Sequence, residues 1–190
     1  MKIICFGHRK QTGKDTSCNF LITELRLRYK NLNIVKAGFA DKVKDVAFQL
    51  FGWAGLKPGD YYERPENIHL REFILPMIGK TPRQLWIGVG NGIRQATGYD
   101  DTWGTYLFET LKNRNVTHLF IKDLRFPAEA SLVKSYGGKI YRVDNPRIPK
   151  VIDGADDPLA NYEDWDGIIN NDSDLKTLHS RVCESILPIL

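Results

Sequence analysis

Residues 2–16 read Lys2-Ile3-Ile4-Cys5-Phe6-Gly7-His8-Arg9-Lys10-Gln11-Thr12-Gly13-Lys14-Asp15-Thr16. Ile3 to Phe6 is a short continuous apolar run that Gly7 ends, as expected of a parallel strand covered on both faces. From Gly13 a helix is predicted, because Cys18, Leu21, Ile22 and Leu25 fall at i, i+3, i+4 and i+7 and make one apolar stripe. The loop between strand and helix holds Lys10, Gln11, Thr12, Gly13, Lys14, Asp15 and Thr16. A glycine-rich phosphate loop works in this setting: backbone N–H groups turn toward the phosphates, and the helix N-terminus adds partial positive charge. Lys14 is expected to reach the β- and γ-phosphates. The match to G-x-x-x-x-G-K-[ST] is incomplete, since His8 holds the first glycine position and Asp15 the Ser/Thr position. Asp15 and Thr16 are then candidates to face Mg²⁺ or its water shell.

Beyond this loop the pattern alternates. Ile34–Phe39 reads as a second strand, and Lys42–Phe51 as a helix. Residues 52–80 are irregular, broken by Gly52, Gly55, Pro58, Gly59, Pro65 and Pro76. Thr81-Pro82 reads as an N-cap and first helical proline, opening a helix that Gly88, Gly90 and Gly92 weaken. A further helix is predicted over about Thr102–Asn113. Leu119-Phe120-Ile121 is a third strand ending at Asp123, Pro127–Tyr136 a helix, Lys139–Val143 a fourth strand and Gly167–Ile169 a fifth. The final helix is capped by Ser173 or Asp174. Strands alternating with helices predict an α/β fold with a mostly parallel sheet. In such sheets ligands bind at the carboxyl ends of strands, so the loops after residues 6, 39, 122, 143 and 169 are the ones to inspect.

The 190 residues predict one domain, and 27 Lys plus Arg against 23 Asp plus Glu give +4. That excess is too small for a dedicated nucleic-acid binder. Three cysteines, Cys5, Cys18 and Cys183, lack CxxC spacing, which disfavours a disulfide framework or zinc ribbon and makes a reducing cytoplasm the default. No apolar run approaches the roughly 20 residues of a membrane span, and the N-terminus lacks a signal peptide's h-region and cleavage site. His8, His69, His118 and His179 are scattered and suggest no metal cluster.

Several segments together resemble the phage and bacterial deoxynucleoside monophosphate kinases, within the P-loop nucleotide kinases. They are Gly13-Lys14-Asp15-Thr16, Phe39-Ala40-Asp41-Lys42-Val43-Lys44, Tyr62-Glu63-Arg64-Pro65, Lys80-Thr81-Pro82-Arg83-Gln84-Leu85, Asp101-Thr102-Trp103, Ile121 to Ala130, Gly137-Gly138 and Asn170-Asn171-Asp172-Ser173. They run in the family's order over most of the chain. Two stretches depart from the family pattern: Leu85 to Gly90 lacks the usual Leu-Leu-Gln-x-Leu-Gly, and Asp153–Tyr162 lacks a His-x-Ser-Glu-like match.

The resemblance implies a three-layer kinase fold. It implies a monophosphate-binding region at about 40–100 and a lid-like segment at about 145–164. It implies transfer from ATP, as its Mg²⁺ complex, to a (deoxy)nucleoside monophosphate. Lys14, Asp123 and Arg125 would be catalytic, with Asp123 holding Mg²⁺ through water. Asp41, Lys44, Arg83, Arg94 and Arg125 would bind the acceptor. Arg83 and Arg94, eleven residues apart, would be aimed from one helix at a single cleft. Arg147 and Asn171 would serve the lid and the adenine. Partners would be small nucleotides, with neither nucleic-acid polymer nor membrane, and a homodimer is left open. A kinase for another small acceptor such as dephospho-coenzyme A, or a non-catalytic nucleotide-binding regulator, stays open beside this reading.

Overall fold

The strands of the sheet run in the order β2-β3-β1-β4-β5 and all pair in parallel. They are β1 (Lys2–Gly7), β2 (Ile34–Ala37), β3 (His118–Leu124), β4 (Lys139–Asp144) and β5 (Gly167–Asn170). The helices are α1 (Lys14–Arg28), α2 (Phe39–Phe51), α3 (Pro82–Thr97), α4 (Thr102–Leu111), α5 (Pro127–Ser135) and α6 (Leu175–Ile186). This computed structural model describes residues 1–148 and 158–190. The presumed lid of 145–164 thus lies partly outside the described residues.

The chain divides into two units, Met1–Gly38 with Phe108–Leu190, and Phe39–Leu107. The first unit holds the whole sheet. Ile4, Phe6 and Phe120 point to one face, where Cys18, Leu21 and Leu25 of α1 and Leu178, Val182 and Ile186 of α6 bury them. Each such fully buried side chain contributes roughly 1.5–3 kcal/mol. Ile3 points to the opposite face, near Val133 of α5 at the close approach of Gly138. Helices on both faces explain why the β1 run is apolar throughout rather than alternating.

The sequence expectations for β1, α1 and the strands that follow hold to within a few residues. The larger difference lies in α3, which runs unbroken through Gly88, Gly90 and Gly92. A full capping box starts it: Thr81 Oγ1 accepts from Gln84 N, and Gln84 Oε1 accepts from Thr81 N. Gly98 at φ 64 ends it. Residues 52–80, read as irregular, form three short 3₁₀ turns, Gly52–Ala54, Gly59–Glu63 and Pro65–Glu72. They surround the second unit's own core of Ala47, Leu56, Tyr62 and Leu85.

Chain order places a switch point beside β1. The path leaves β1 through α1 toward β2 and β3 on one side of the sheet, then leaves β3 through α5 toward β4 and β5 on the other. The loops after β1 and β3 therefore diverge to opposite faces, which opens a crevice at the carboxyl ends of these two neighbours.

At the far edge, Asp166 fixes the entry to β5. Its Oδ2 accepts from Ile140 N at 2.8 Å and its Oδ1 from Lys139 Nζ at 3.0 Å. Burial alone would raise its pKa, but the Ile140 N–H and Lys139 outweigh that and hold it below the usual value. A carboxylate depressed in the folded state stabilises fully above its unfolded pKa and loses that contribution as pH falls through the folded value. Asp166→Asn should therefore lower the urea midpoint at pH 7, and the gap from wild type should shrink below about pH 4. A gap that stays constant with pH would refute the charge contribution.

Candidate functional site

The loop between β1 and α1 turns through three residues in the left-handed region: His8 at φ 94, Gln11 at φ 60 and Gly13 at φ 109. Alternating hands of backbone turn successive N–H groups inward and make an anion-binding concavity. Two of the three are not glycine, at a cost of about 1–3 kcal/mol each, and such strain gathers at functional sites. His8 thus departs from the glycine-rich motif in side chain but not in backbone. Its ring is buried, with Nδ1 2.8 Å from Asp144 Oδ1 at the end of β4, and Asp144 accepts from Arg142 Nε at 2.7 Å. The imidazole thus sits buried beside that carboxylate.

Lys14, the first residue of α1, is buried, and its ammonium donates to the carbonyls of His8, at 2.8 Å, and Arg9. A buried ammonium needs such partners. The charge therefore lies on the loop that encloses it. Thr12 Oγ1 donates to Arg9 O, and Ser17 Oγ to Gly13 O. Asp15 pairs with Lys36 of β2 at 2.8 Å and is well exposed. Thr16 is half-buried in the first turn of α1. Lys10 and Gln11 are exposed at the loop's rim.

Asn171, after β5, donates its amide to Thr12 O at 2.9 Å, and a Cβ on Gly13 would lie 2.7 Å from its Nδ2. Gly13 is required both by its φ and by this approach. Arg147 donates to Asn171 O at 3.1 Å, and its backbone N–H to Asn145 Oδ1 at 3.0 Å. Both residues of the expected lid and adenine pair therefore brace the outer wall of the loop. Residues 149–157 of the lid segment are outside the described residues.

Asp123 lies within β3, which runs on to Leu124. The pairing of β1 with β3 steps from Cys5↔Ile121 to Gly7↔Leu124, so β3 carries one extra residue at Lys122–Asp123. Such a bulge re-aims a side chain next to a site. The re-aimed carboxylate lies over Gly38, where an added Cβ would be 2.6 Å from Asp123 Oδ2. Asp123 and Glu129 both add to the burial that raises the Cys5 thiol well above its ordinary pKa, so this thiol is inert. Arg125 is exposed in the loop that follows. Glu129 accepts the backbone N–H groups of Arg125 and Phe126 at 2.9 and 3.2 Å. It fixes the loop by holding the free N-terminus of α5.

The remaining sequence candidates belong to the second unit. Lys44 is engaged by Glu63 at 2.6 Å and Asp41 at 3.8 Å, with its ammonium 5.8 Å from the Trp86 ring centre. Arg83 pairs with Glu72, and Arg94 donates to Asp100 O at 3.2 Å. They occupy opposite ends of α3, roughly 16 Å apart along its axis. That separation exceeds what two guanidinium groups share on one phosphate. Tyr62 and Trp103 of this unit are buried, and Trp103 Nε1 donates to Gly90 O at 3.2 Å.

Three residues that the sequence reading passed over carry this geometry: Gly38, Asp144 and Lys36. The first two sit at or just past strand carboxyl ends, the place the sheet rule marks. No family model matches the sequence, and no curated protein matches it. Among solved structures the chain is similar to an unliganded sugar kinase from Janibacter sp. HTCC2649, at 12% identity and TM-score 0.46 over 98% of this chain and 94% of that one. It is also similar to TT1252 from Thermus thermophilus, at 12% identity and TM-score 0.50 over 100% of this chain and 97% of that one. The likeness to TT1252 extends over nearly the whole of both chains and shows a shared parallel α/β fold.

Proposed function

We propose that the chain is a phosphotransferase that moves the γ-phosphoryl of ATP to a (deoxy)nucleoside monophosphate. The observation that carries this reading is the loop of residues 8–16: a backbone with positive φ at His8, Gln11 and Gly13, at the sheet's switch point, wrapped by its His8 and Arg9 carbonyls around a buried lysine ammonium at the start of a helix. Such a loop suits a polyphosphate better than any neutral ligand. Lys14 would exchange the His8 and Arg9 carbonyls for phosphate oxygens and follow the charge that moves to the leaving group. Arg125 would grip the transferred or acceptor phosphate with its two-pronged guanidinium. Phosphoryl transfer needs such positioning and charge neutralisation more than a strong base.

The oxygen donors fit Mg²⁺, a hard cation. With Asp15 held by Lys36, Thr16 and Asp123 are the residues that would hold it, Asp123 through water. Bound Mg²⁺ would neutralise charge on the β- and γ-phosphates. Arg83 and Arg94 would bind the acceptor. Given their separation on α3, one of Arg83 and Arg94 would hold the phosphate and the other a different part of the nucleotide, with Lys44 alongside.

ATP and Mg²⁺ with a panel of nucleoside monophosphates, assayed for diphosphate formation, test the reading. Transfer to at least one member is expected. Transfer to none, alongside tight ATP binding, would favour a non-catalytic regulator. On the active substrate, Arg83→Ala and Arg94→Ala are each expected to raise the acceptor KM at least tenfold while ATP affinity changes little, since a charge-assisted bond contributes about 1.5–3 kcal/mol. Weakened ATP binding instead would reverse the assignment of donor and acceptor.

A further inference from the structure

The histidines that look scattered in sequence include one that folding brings into a mixed ligand set. His179 and Cys183 are one turn apart on α6 and share a face. Glu24 projects from α1, which packs on α6. His179 Nε2 lies 3.1 Å from Glu24 Oε1 and 3.6 Å from Cys183 Sγ, and the three ligand atoms fall within 4.8 Å of one another. We propose that Glu24, His179 and Cys183 form a binding site for one Zn²⁺ ion, separate from the nucleotide site.

The spacing carries the proposal. A tetrahedral zinc with N and O ligands at about 2.0–2.1 Å and a thiolate at about 2.3 Å has an N–O edge of roughly 3.3 Å and an N–S edge of roughly 3.6 Å. The two edges at His179 already have close to these lengths, so the imidazole stays where it is. Only the gap between Glu24 and Cys183 has to close. Nitrogen, sulfur and one oxygen also select a borderline ion over Mg²⁺.

The surroundings fix the first two ligands. Arg28 donates to Glu24 Oε2 at 3.1 Å, which orients the carboxylate and leaves Oε1 toward the ion. The Phe20 ring meets the His179 imidazole edge-on at 4.8 Å between centres. Glu24 and His179 keep 20% and 36% of their side-chain surface exposed. The half-open position admits both the ion and a water as fourth ligand. On binding, the Cys183 thiol gives its proton to solvent and the sulfur becomes the thiolate ligand. Nothing in the proposed phosphoryl transfer uses these residues.

Tag-free, chelator-dialysed full chain titrated with Co²⁺ and then Zn²⁺ tests the site. One equivalent of Co²⁺ should give a thiolate-to-cobalt charge-transfer band that Zn²⁺ abolishes and Mg²⁺ does not. Cys183→Ser should remove the band, and His179→Gln should weaken Zn²⁺ binding at least tenfold, both with unchanged circular dichroism. The wild-type measurement stands even where a variant fails to fold. Absence of the band and of one-to-one Zn²⁺ binding in the wild type would overturn the proposal, as would binding that both variants leave intact.

Discussion

Lys14→Ala is expected to lower phosphoryl transfer by about a thousandfold, the loss that follows removal of a preorganised charge stabiliser from a site closed to water. The reason is positional. The ammonium is buried on the carbonyls of His8 and Arg9, inside the loop that would hold the phosphates. Arg9 and Lys10 sit on the same loop, yet Lys10 is exposed and neither follows the second glycine of the motif. A methyl group at position 14 offers no charge to follow the leaving oxygen. Single-turnover transfer from ATP, measured beside equilibrium ATP binding, separates chemistry from affinity. Lys10→Ala is the control and should change transfer less than tenfold. Near-normal turnover in Lys14→Ala would remove residues 8–16 from the transfer step.

What was legible in the sequence follows from how local each signal is. The β1 run and the loop after it lie within fifteen residues, and their order alone predicts strand, turn and helix. Strand order was not legible, because parallel partners such as Ile4 and Phe120 lie far apart in the chain. The glycines of α3 misled for a physical reason. A helical glycine costs about 1 kcal/mol against alanine, which predicts a weak helix. Gly90 instead lets Trp103 and Val43 approach its backbone, and the capping box at Thr81 secures the start. His8 misled in the other direction. A histidine in a glycine position reads as a broken motif, until its backbone is seen at φ 94 with the ring buried beside Asp144. The bulge at Lys122–Asp123 has no local signature, so the sequence ended the strand at Asp123 and did not show the extra residue. Glu24, His179 and Cys183 could be found only in part: the i,i+4 spacing on α6 is visible, whereas the partner on α1 is not.

Gly38→Ala is expected to impair transfer although Gly38 itself carries no chemistry. Its φ lies outside the left-handed region, so the backbone tolerates alanine. What does not tolerate it is the carboxylate of Asp123, 2.6 Å from the position of the new Cβ. The methyl group must push that carboxylate aside. If Asp123 holds water bound to Mg²⁺, the displacement should raise the Mg²⁺ concentration needed for half-maximal rate and lower kcat, each by about 10–100-fold, as changes around a metal's outer ligands do. Asp123→Asn should do the same by removing the charge. The two substitutions act on one group, so the double variant should be scarcely worse than the worse single one. Arg125→Lys should lower kcat without moving the Mg²⁺ response, because an ammonium lacks the two-pronged grip but leaves Asp123 in place. Additive losses in the double variant would mean that Gly38 acts by another route. Wild-type kcat and Mg²⁺ dependence in both single variants would make Asp123 a structural residue of the β3 bulge. The charge of the moving phosphoryl would then have to be met elsewhere, and Arg147, which Asn171 already ties to the loop of residues 8–16, is the first residue to replace.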